Sequence, residues 1–475
     1  MRITVRSLGG EVTVEGVEIG SSGPIGYRQA LESREFTALC AAQLVSVAGN
    51  SIAAVALTVL VYRRTSSPLL ASLTFSLAFL PYLLGGAVLS GLVDRVRPRR
   101  LVTTCTAASA VVAAVMAWPK MPVPALLALL FVIGSLSSLA SGSRAALVRS
   151  TVSHDAYVPA RSLMRIAAQV AQIGGNGAAG AVLVVLAPSG VLLVNAACFA
   201  LSSALVRTIV HDHDHLGGTA EARPMGSLRG AKEVLGNGEL RRLLLLGWLA
   251  PMFSVAPEAV AAPYVAAHHG PSSLVGWWLT ALPVGIIIGD VLAVRLLGSD
   301  RQRRWVAPAV AASFVPYLVF ATSPAVPVAL PLLAGAGLFS FYGLGLDARV
   351  RAAAPLHLFT RTMTLNSAGL MALQGIGFTL AGAAAQAVGT APTIAIAGAC
   401  GIATSLAVLR ADLPALRTGH RTQTGLRSQR PPSAGDTNEH RQPPEPRQLE
   451  QSLACPARPA LGEQSARTLR PEQLR

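Results

Sequence analysis

The sequence predicts an all-α membrane protein of twelve transmembrane helices, arranged as two pseudosymmetric six-helix bundles. Three observations predict this fold: an apolar composition, apolar runs that recur along the chain, and a repeat that relates its two halves. Of 475 residues, 52% are hydrophobic and 13% are charged, and the mean hydropathy is +0.51. Because an ordinary soluble domain is roughly 25% charged, a soluble globular protein is excluded.

Apolar runs of about 20 residues begin near residue 35, and each is long enough to cross a hydrocarbon core of roughly 30 Å as an α-helix. We predict twelve such spans. They cover residues 35–61, 69–92, 101–118, 124–148, 163–187, 190–209, 243–267, 273–297, 305–322, 325–346, 362–388 and 391–409.

Basic residues between the spans indicate the orientation, because Lys and Arg near span ends are retained in the cytoplasm. The connections on one side carry most of the arginines, whereas those on the other side carry only Arg63, Arg64 and Lys120. We therefore expect a multi-pass protein of the cell membrane with both termini in the cytoplasm.

These spans divide the chain into five predicted parts. They are a cytoplasmic tail with at most a short hairpin (1–34), a first bundle (35–210), a cytoplasmic interbundle loop (211–242), a second bundle (243–409) and a basic cytoplasmic tail (410–475). The last part is rich in Arg, Pro, Gln and Ser and has no periodic apolar pattern, which predicts disorder.

An internal repeat relates the two halves of the chain. The basic cluster at 97–100, which follows the second span, matches the cluster at 301–304, which follows the eighth. The fifth and eleventh spans agree in the same way, because two glycines and a glutamine keep their spacing. The matched residues are Gln172 with Gln374, Gly175 with Gly377, and Gly180 with Gly382. One duplicated six-helix unit explains both matches.

Several functions are excluded by what the sequence lacks. The net charge of +16 lies in short clusters between apolar runs, which indicates topology rather than nucleic-acid binding. Neither Lys120 nor Lys232 follows a phosphate-binding glycine loop, and the chain has no Ser/His/Asp, HExxH or paired-Asp motif, so we expect neither an ATP-driven pump nor an enzyme. We predict no cofactor and no metal site. The alternating His and Asp at 211–215 fit a solvated loop better than a metal site.

The most specific motif joins the second span to the third. Residues 91–100 read Gly-Leu-Val-Asp-Arg-Val-Arg-Pro-Arg-Arg. This segment resembles the Gly-x-x-x-Asp-Arg-x-Gly-Arg-Arg signature of the major facilitator superfamily, which implies the major facilitator fold. In that family the loop is a cytoplasmic latch between the bundles, held by charge-assisted hydrogen bonds at helix ends. A purely topogenic arginine cluster is the alternative. The latch residues that the resemblance implies are Gly91, Asp94, Arg95, Arg99 and Arg100.

The resemblance covers most of residues 27–409, and residues 43–100 are similar to the macrolide-efflux-like branch of drug:proton antiporters. The segments at 60–62, 67–68, 257–258 and 262–264 carry this similarity. It implies a monomeric exporter whose partners are a small-molecule substrate, protons and the lipid bilayer. Asn50, Thr106 and Ser109 depart from the pattern, since that branch has charged residues at these positions.

Ionisable residues within the spans are costly and therefore indicate function. Glu258 lies in the outer half of the seventh span, where three prolines interrupt the helix, and we expect it to bind protons or a cationic substrate. Asp290, in the inner half of the eighth span, is the second predicted proton-coupling residue. A carboxylate that reaches the headgroups is the alternative for Glu258, and an ion pair with Arg295 or a latch arginine is the alternative for Asp290.

Polar residues of the first, fifth and eleventh spans indicate a cavity for an amphipathic ligand. Those of the fifth span recur at helical spacing, so they share one face that cannot lie against lipid. Interhelical hydrogen bonding beside the nearby glycines is the alternative. The predicted cavity residues are Gln43, Asn50, Arg165, Gln169, Gln172, Asn176 and Gln374.

Aromatic and histidine residues near the outer side have simpler interpretations. We expect Trp277 and Trp278 to anchor the eighth span at the membrane interface. His268 and His269 face the exterior, where they would sense pH, although a plain loop is the preferred interpretation.

The sequence therefore predicts a secondary active transporter that exports small amphipathic compounds or drugs by proton antiport through alternating access. Two alternatives stay open: a facilitator or uptake permease, and a non-transporting membrane receptor or scaffold.

Overall fold

A computed structural model describes residues 3–7, 10–14, 31–84, 97–152, 157–211, 228–355 and 358–407. Three of the predicted latch residues (Gly91, Asp94 and Arg95) and the predicted tail at 410–475 lie outside these ranges. The interbundle loop predicted at 211–242 is described only at residue 211 and from residue 228 onward.

The first bundle contains six helices, each of which coincides with one predicted span. They are α1 (Arg34–Thr65), α2 (Pro68–Leu84), α3 (Pro98–Met116), α4 (Val123–Thr151), α5 (Tyr157–Val185) and α6 (Pro188–Ile209).

The second bundle is built from shorter segments and follows a short helix, α7 (Leu228–Gly236). Its elements are α8 (Gly238–Ser254), α9 (Ala256–Ala259), α10 (Ala261–Ala267), α11 (Ser273–Leu296), α12 (Ser299–Arg304), α13 (Val306–Leu318), a 3₁₀ turn (Val319–Thr322), α14 (Val326–Leu338), a 3₁₀ turn (Phe339–Phe341), α15 (Tyr342–Ala353), α16 (Phe359–Val388) and α17 (Thr390–Ala407).

All twelve predicted spans coincide with a helix or with a broken run of helices. Within the described ranges, nine helices are long and apolar enough to cross a membrane, or ten if the bent seventh span is counted as one. The described part of α2 and the run from Val306 to Thr322 are shorter apolar helices. The predicted all-α membrane fold is thus confirmed, apart from one small hairpin.

That hairpin lies in the N-terminal tail. Strands Ile3–Ser7 and Gly10–Val14 pair antiparallel, with Ile3 opposite Val14. The sequence predicts at most a hairpin at about 11–19, so the observed one begins earlier in the chain.

The seventh span is broken where its prolines predict it. Helices α8, α9 and α10 are separated at Val255 and Val260, and the axis bends by 41° between residues 238–259 and α10. A proline removes a backbone donor and clashes with the preceding turn, which accounts for breaks beside Pro251, Pro257 and Pro263. The bend carries α10 against α1 and α2 of the first bundle.

The two bundles meet at two helix crossings, α5 with α11 and α2 with α16. Both crossings lie towards the end of the molecule formed by the connections at 66–67, 117–122, 186–187, 268–272, 323–325 and 389, which we call the distal end. The opposite end, where the chain enters α1 and leaves α17, is the terminal end.

Glycines make these crossings close, and the crossings are related by the sequence repeat. A Cβ on Gly180 would lie 2.5 Å from the Ser273 carbonyl oxygen, and one on Gly276 would lie 2.6 Å from the Gly180 nitrogen. At the other crossing, the repeat mate Gly382 packs against Ser72, which is itself the repeat mate of Gly276. The predicted pseudosymmetry is therefore present in the packing between the bundles.

Candidate functional site

The distal end is closed by polar contacts between the bundles. The Arg63 guanidinium donates to the Ser272 hydroxyl, and Ser67 Oγ lies 2.9 Å from Gln386 Oε1. Deeper in the contact, Ser76 Oγ donates to the Gly375 carbonyl oxygen at 2.8 Å. Together with the glycine crossings, these contacts hold the distal halves of the bundles together.

Towards the terminal end, the predicted polar face of α5 is open. Arg165, Gln169 and Gln172 are exposed. Asn176 lies farther along the same face, inside the crossing, where its Nδ2 is 3.4 Å from the Leu279 carbonyl oxygen of α11. Three of the four predicted residues are thus exposed among the described residues, and the fourth makes the interhelical contact that was the alternative interpretation. The polar face of α5 is therefore accessible towards the terminal end, as far as the described residues show.

Two predicted cavity residues of α1, Gln43 and Asn50, line a pocket within the first bundle. The pocket has a volume of about 170 Å³. Gln43 is half-buried, and its Oε1 is a buried atom without a hydrogen-bond partner in the described part of the chain. Since a dry cavity of about 150 Å³ accommodates benzene, the pocket has room for one ring or one polar group of a ligand.

Sequence reasoning did not assign to a cavity the polar residues that α3 and α4 contribute to this pocket. Thr106 and Ser109 come from α3, and Ser137, Ser141 and Arg144 come from α4. A signal was present, because the three α4 residues stand at i, i+4 and i+7 and therefore share one helical face. Such a stripe is short and interrupts an apolar run, so a search for hydropathy alone passes over it.

Glu258 lies in the four-residue helix α9, between the two breaks of the seventh span. Its side chain is half-buried, and no hydrogen bond or ion pair holds it within the described ranges. Tyr317 lies close enough to interact electrostatically with this carboxylate. An intramembrane carboxylate without a fixed partner is free to exchange a proton or to pair with a ligand.

Side-chain donors satisfy the carbonyl groups around the broken helix. Trp278 Nε1 donates to the Pro257 carbonyl oxygen at 2.8 Å, and Tyr317 Oη donates to the Ser254 carbonyl oxygen at 3.0 Å. Because a buried carbonyl without a partner costs about 1–3 kcal/mol, these two bonds stabilise the break next to Glu258.

Trp278 corrects the expectation of an interfacial anchor. Its exposed fraction is 1%, whereas that of Trp277 is 57%. The Trp278 ring centroid lies 4.6 Å from that of Tyr264, and the ring packs edge-on to Phe320, within the largest apolar cluster of the described residues. Consecutive residues on a helix point about 100° apart, so only one of this pair reaches the surface.

Asp290 is half-buried on α11. Arg165 of α5 is the charged residue that interacts with it electrostatically. Among the described residues, Asp290 makes no ion pair with Arg295, the neighbour considered from the sequence. The two predicted residues Arg165 and Asp290 therefore carry opposite charges on the two helices that cross at the distal end.

The predicted latch is described only in part. Arg99 Nη2 donates to the Arg207 carbonyl oxygen in the last turn of α6 at 2.6 Å, and Arg100 is exposed at the start of α3. An arginine bond to a helix C-terminal carbonyl is the type of contact that the motif implies. The contact lies within the first bundle.

Gln374, the repeat mate of Gln172, is half-buried on α16 beside the second crossing. The next residue, Gly375, packs near Phe79 of α2. Phe75 and Phe79 both stack on Phe378, whose ring centroid lies 5.1 Å from that of Phe75 and 5.5 Å from that of Phe79. Gln374 therefore lies one turn before an aromatic layer between the bundles.

Two bundles that meet at pseudosymmetric crossings are an arrangement found in membrane transporters. Residues 39–257 match the family model of the Major Facilitator Superfamily. The fold of the chain is the major facilitator fold.

Solved structures with this fold come from several kinds of transporter. The nucleoside transporter NupG is 12% identical with a TM-score of 0.59, covering 79% of this chain and 98% of its own. A bacterial homologue of the human lysosomal transporter Spinster, inward-facing and unoccupied, is 12% identical with a TM-score of 0.60, covering 82% and 99%.

A bacterial homologue of the iron transporter ferroportin, in an inward-facing state, is 16% identical with a TM-score of 0.58, covering 78% of this chain and 98% of its own. No curated protein matches the sequence. The family match over residues 39–257 and the shared fold together indicate a membrane transport protein rather than an enzyme.

Proposed function

We propose that this protein is a secondary active transporter that exports small amphipathic compounds by proton antiport through alternating access. In this proposal both termini are cytoplasmic, the protein is a monomer in the cell membrane, and the distal end faces the exterior. The structure then corresponds to the inward-open state. The position of most arginines at the terminal end supports this orientation.

The observation that carries the proposal is the Glu258 carboxylate. It lies at the break of the seventh span without a hydrogen-bond or ion-pair partner in the described ranges. A proton from the distal side neutralises Glu258, which removes its attraction for a cationic or dipolar substrate and lowers the cost of moving the group through a dry state. After the bundles rock, the proton leaves at the terminal end and the carboxylate binds again.

The other predicted residues have supporting roles in this cycle. Gln43, Asn50, Gln169 and Gln172 offer hydrogen bonds to the polar part of a substrate, while apolar neighbours hold the rest. Asn176 and Gln374 lie at the crossings, and the loop from Gly91 to Arg100 stabilises one state by charge-assisted bonds.

Proton flux in reconstituted vesicles tests the proposal. Purified protein is placed in vesicles with an internal pH dye, and tetraphenylphosphonium or a macrolide is added to the protein with and without the substitution Glu258→Gln. Glu239→Gln is the matched control, because Glu239 is an exposed carboxylate in the first turn of α8, the helix that precedes α9.

Substrate-linked proton movement that is lost in Glu258→Gln and kept in Glu239→Gln is the expected result. Substrate movement without any proton signal in the unsubstituted protein would instead identify a facilitator. If Glu258→Gln still moved substrate uphill under an imposed proton gradient, the assignment of Glu258 would be wrong.

A further inference from the structure

A histidine at the distal end is held by electron-rich groups on three sides. His268 follows the last residue of α10, and its ring stacks on Tyr264 with centroids 4.4 Å apart and planes 15° from parallel. Its Nδ1 lies 3.0 Å from the Tyr264 carbonyl oxygen. Its Nε2 lies 3.4 Å from the Ser323 carbonyl oxygen and 3.3 Å from Ser323 Oγ.

The contacts with the two carbonyl oxygens and with the tyrosine ring are stronger when the imidazole carries a second proton. The neutral ring donates one hydrogen bond and accepts another from the Ser323 hydroxyl, whereas the imidazolium donates to both carbonyl oxygens. Charge-assisted hydrogen bonds are roughly twice as strong as neutral ones. A positive charge is also favoured over a tyrosine ring and at the C-terminus of a helix.

No other charge opposes or replaces this effect within the described residues. The titratable neighbours of His268 on its own segment are Tyr264 and the exposed His269. The opposing segment at 319–325 and the connection from 270 into the first turns of α11 carry no titratable side chain. Arg63 of α1, a basic residue at the distal end, donates to Ser272.

The contacts of His268 join the seventh span to the loop after the ninth. Ser323 has a left-handed backbone, with φ at 51°, and the Tyr264 hydroxyl donates to the next carbonyl oxygen, that of Pro324, at 2.7 Å. Two adjacent side chains of the α10 end are thus tied to two adjacent residues of one loop. This tie holds the end of α10 against residues 323 and 324.

The bent position of α10 matters for closure, because α10 contacts α1 and α2 of the first bundle at the distal end. The same aromatic column continues inward. Tyr264 packs on Trp278, and Trp278 donates to the carbonyl oxygen of Pro257, the residue before Glu258. A change at His268 is therefore connected both to the distal contact and to the backbone of the proposed coupling residue.

We propose that His268 is a proton-operated catch for the distal end. Protonation from the distal side tightens the tie between α10 and Ser323 and stabilises the closed distal end, and loss of the proton favours opening. The proposal rests on the proposed alternating-access function, since it assigns a regulator to that cycle. We expect the ratio of closed to open molecules to change roughly 3- to 10-fold between the two protonation states.

The distance between the two bundles at the distal end tests this catch without any transport measurement. The native cysteines are replaced by serine, and spin labels are attached through Val185→Cys at the end of α5 and Val388→Cys at the end of α16, both exposed. Glu258→Gln is included so that this carboxylate does not titrate. Distance distributions are recorded in lipid nanodiscs between about pH 5 and pH 8, the range in which histidine changes charge.

Three histidine variants make the result specific. His268→Phe keeps the ring stack without nitrogen atoms, His268→Gln keeps a polar group without a charge, and His269→Gln is the adjacent control. We expect the short-distance fraction to rise as the pH falls, to lose this dependence in both His268 variants, and to keep it in His269→Gln.

The proposal is overturned if the distance still depends on pH in either folded His268 variant. It is also overturned if the distance does not depend on pH in the parent protein, or if His269→Gln loses the pH dependence to the same extent as the His268 variants. The outcome is separable from the proposed function. A pH-dependent distance without proton-coupled flux would contradict antiport and leave the catch intact, whereas coupled flux with a pH-independent distance would contradict only the catch.

Discussion

Adding one methyl group at the α5–α11 crossing should open the distal end. In Gly180→Ala the new Cβ would lie 2.5 Å from the Ser273 carbonyl oxygen, about 0.9 Å inside ordinary contact at 3.4 Å. The opposing atom belongs to the backbone, so a helix has to move. Overpacking of this kind costs about 1–3 kcal/mol, which lowers the ratio of closed to open molecules by about 5- to 150-fold.

The control for this prediction lies on the same helix. Gly174 has no atom within 4 Å of an added Cβ, so Gly174→Ala gains the same helix propensity, about 0.5–1 kcal/mol, without the clash. That gain applies to both states and does not change their ratio.

Distance measurement between labelled positions 185 and 388 reports the ratio directly. We expect a longer distance in Gly180→Ala and an unchanged distribution in Gly174→Ala. An unchanged distribution in both would refute the reasoning, because the glycine contact would then not limit the approach of the bundles.

Two further predictions concern the broken span and the charges on α5 and α11. Trp278→Phe should lower the free energy of unfolding by about 1–3 kcal/mol, because it leaves the Pro257 carbonyl buried without a donor, while Trp277→Phe should leave it unchanged. Thermal unfolding of the purified protein measures both variants, and equal effects would contradict the hydrogen bond assigned to Trp278. Arg165→Asp and Asp290→Arg should each slow transport by placing like charges on facing helices, and the double variant should recover the transport rate. A double variant no faster than either single variant would show that the two charges do not meet during the cycle.

The sequence predicts the helical architecture well because each span carries its own signal. A run of about 20 apolar residues is a local property, and so is the proline spacing that breaks the seventh span at Val255 and Val260. The repeat was also readable, since Gly180 and Gly382 keep their positions within duplicated helices. None of these inferences requires knowledge of which helices touch.

Inferences about tertiary partners were less accessible. The sequence places Trp278 at the outer end of the eighth span, but its burial depends on Tyr264 and Phe320, which come from two other spans. Gln43 and Asn50 were recognised as polar, yet the pocket they line is completed by α3 and α4. Hydropathy reports the average environment of a helix, whereas a site depends on which faces of several helices converge.

The glycine crossings close the distal end at a place different from the polar residues proposed to bind protons and substrate. The glycine contacts at both crossings involve small residues and main-chain atoms, whereas Gln43, Asn50 and Glu258 lie elsewhere. These glycine contacts contain no titratable group, so any control over them by a proton or a ligand must come through side chains that lie beside the crossings. It also follows that substitutions of the polar residues can change which compounds the protein accepts without altering the glycine contacts that close the distal end.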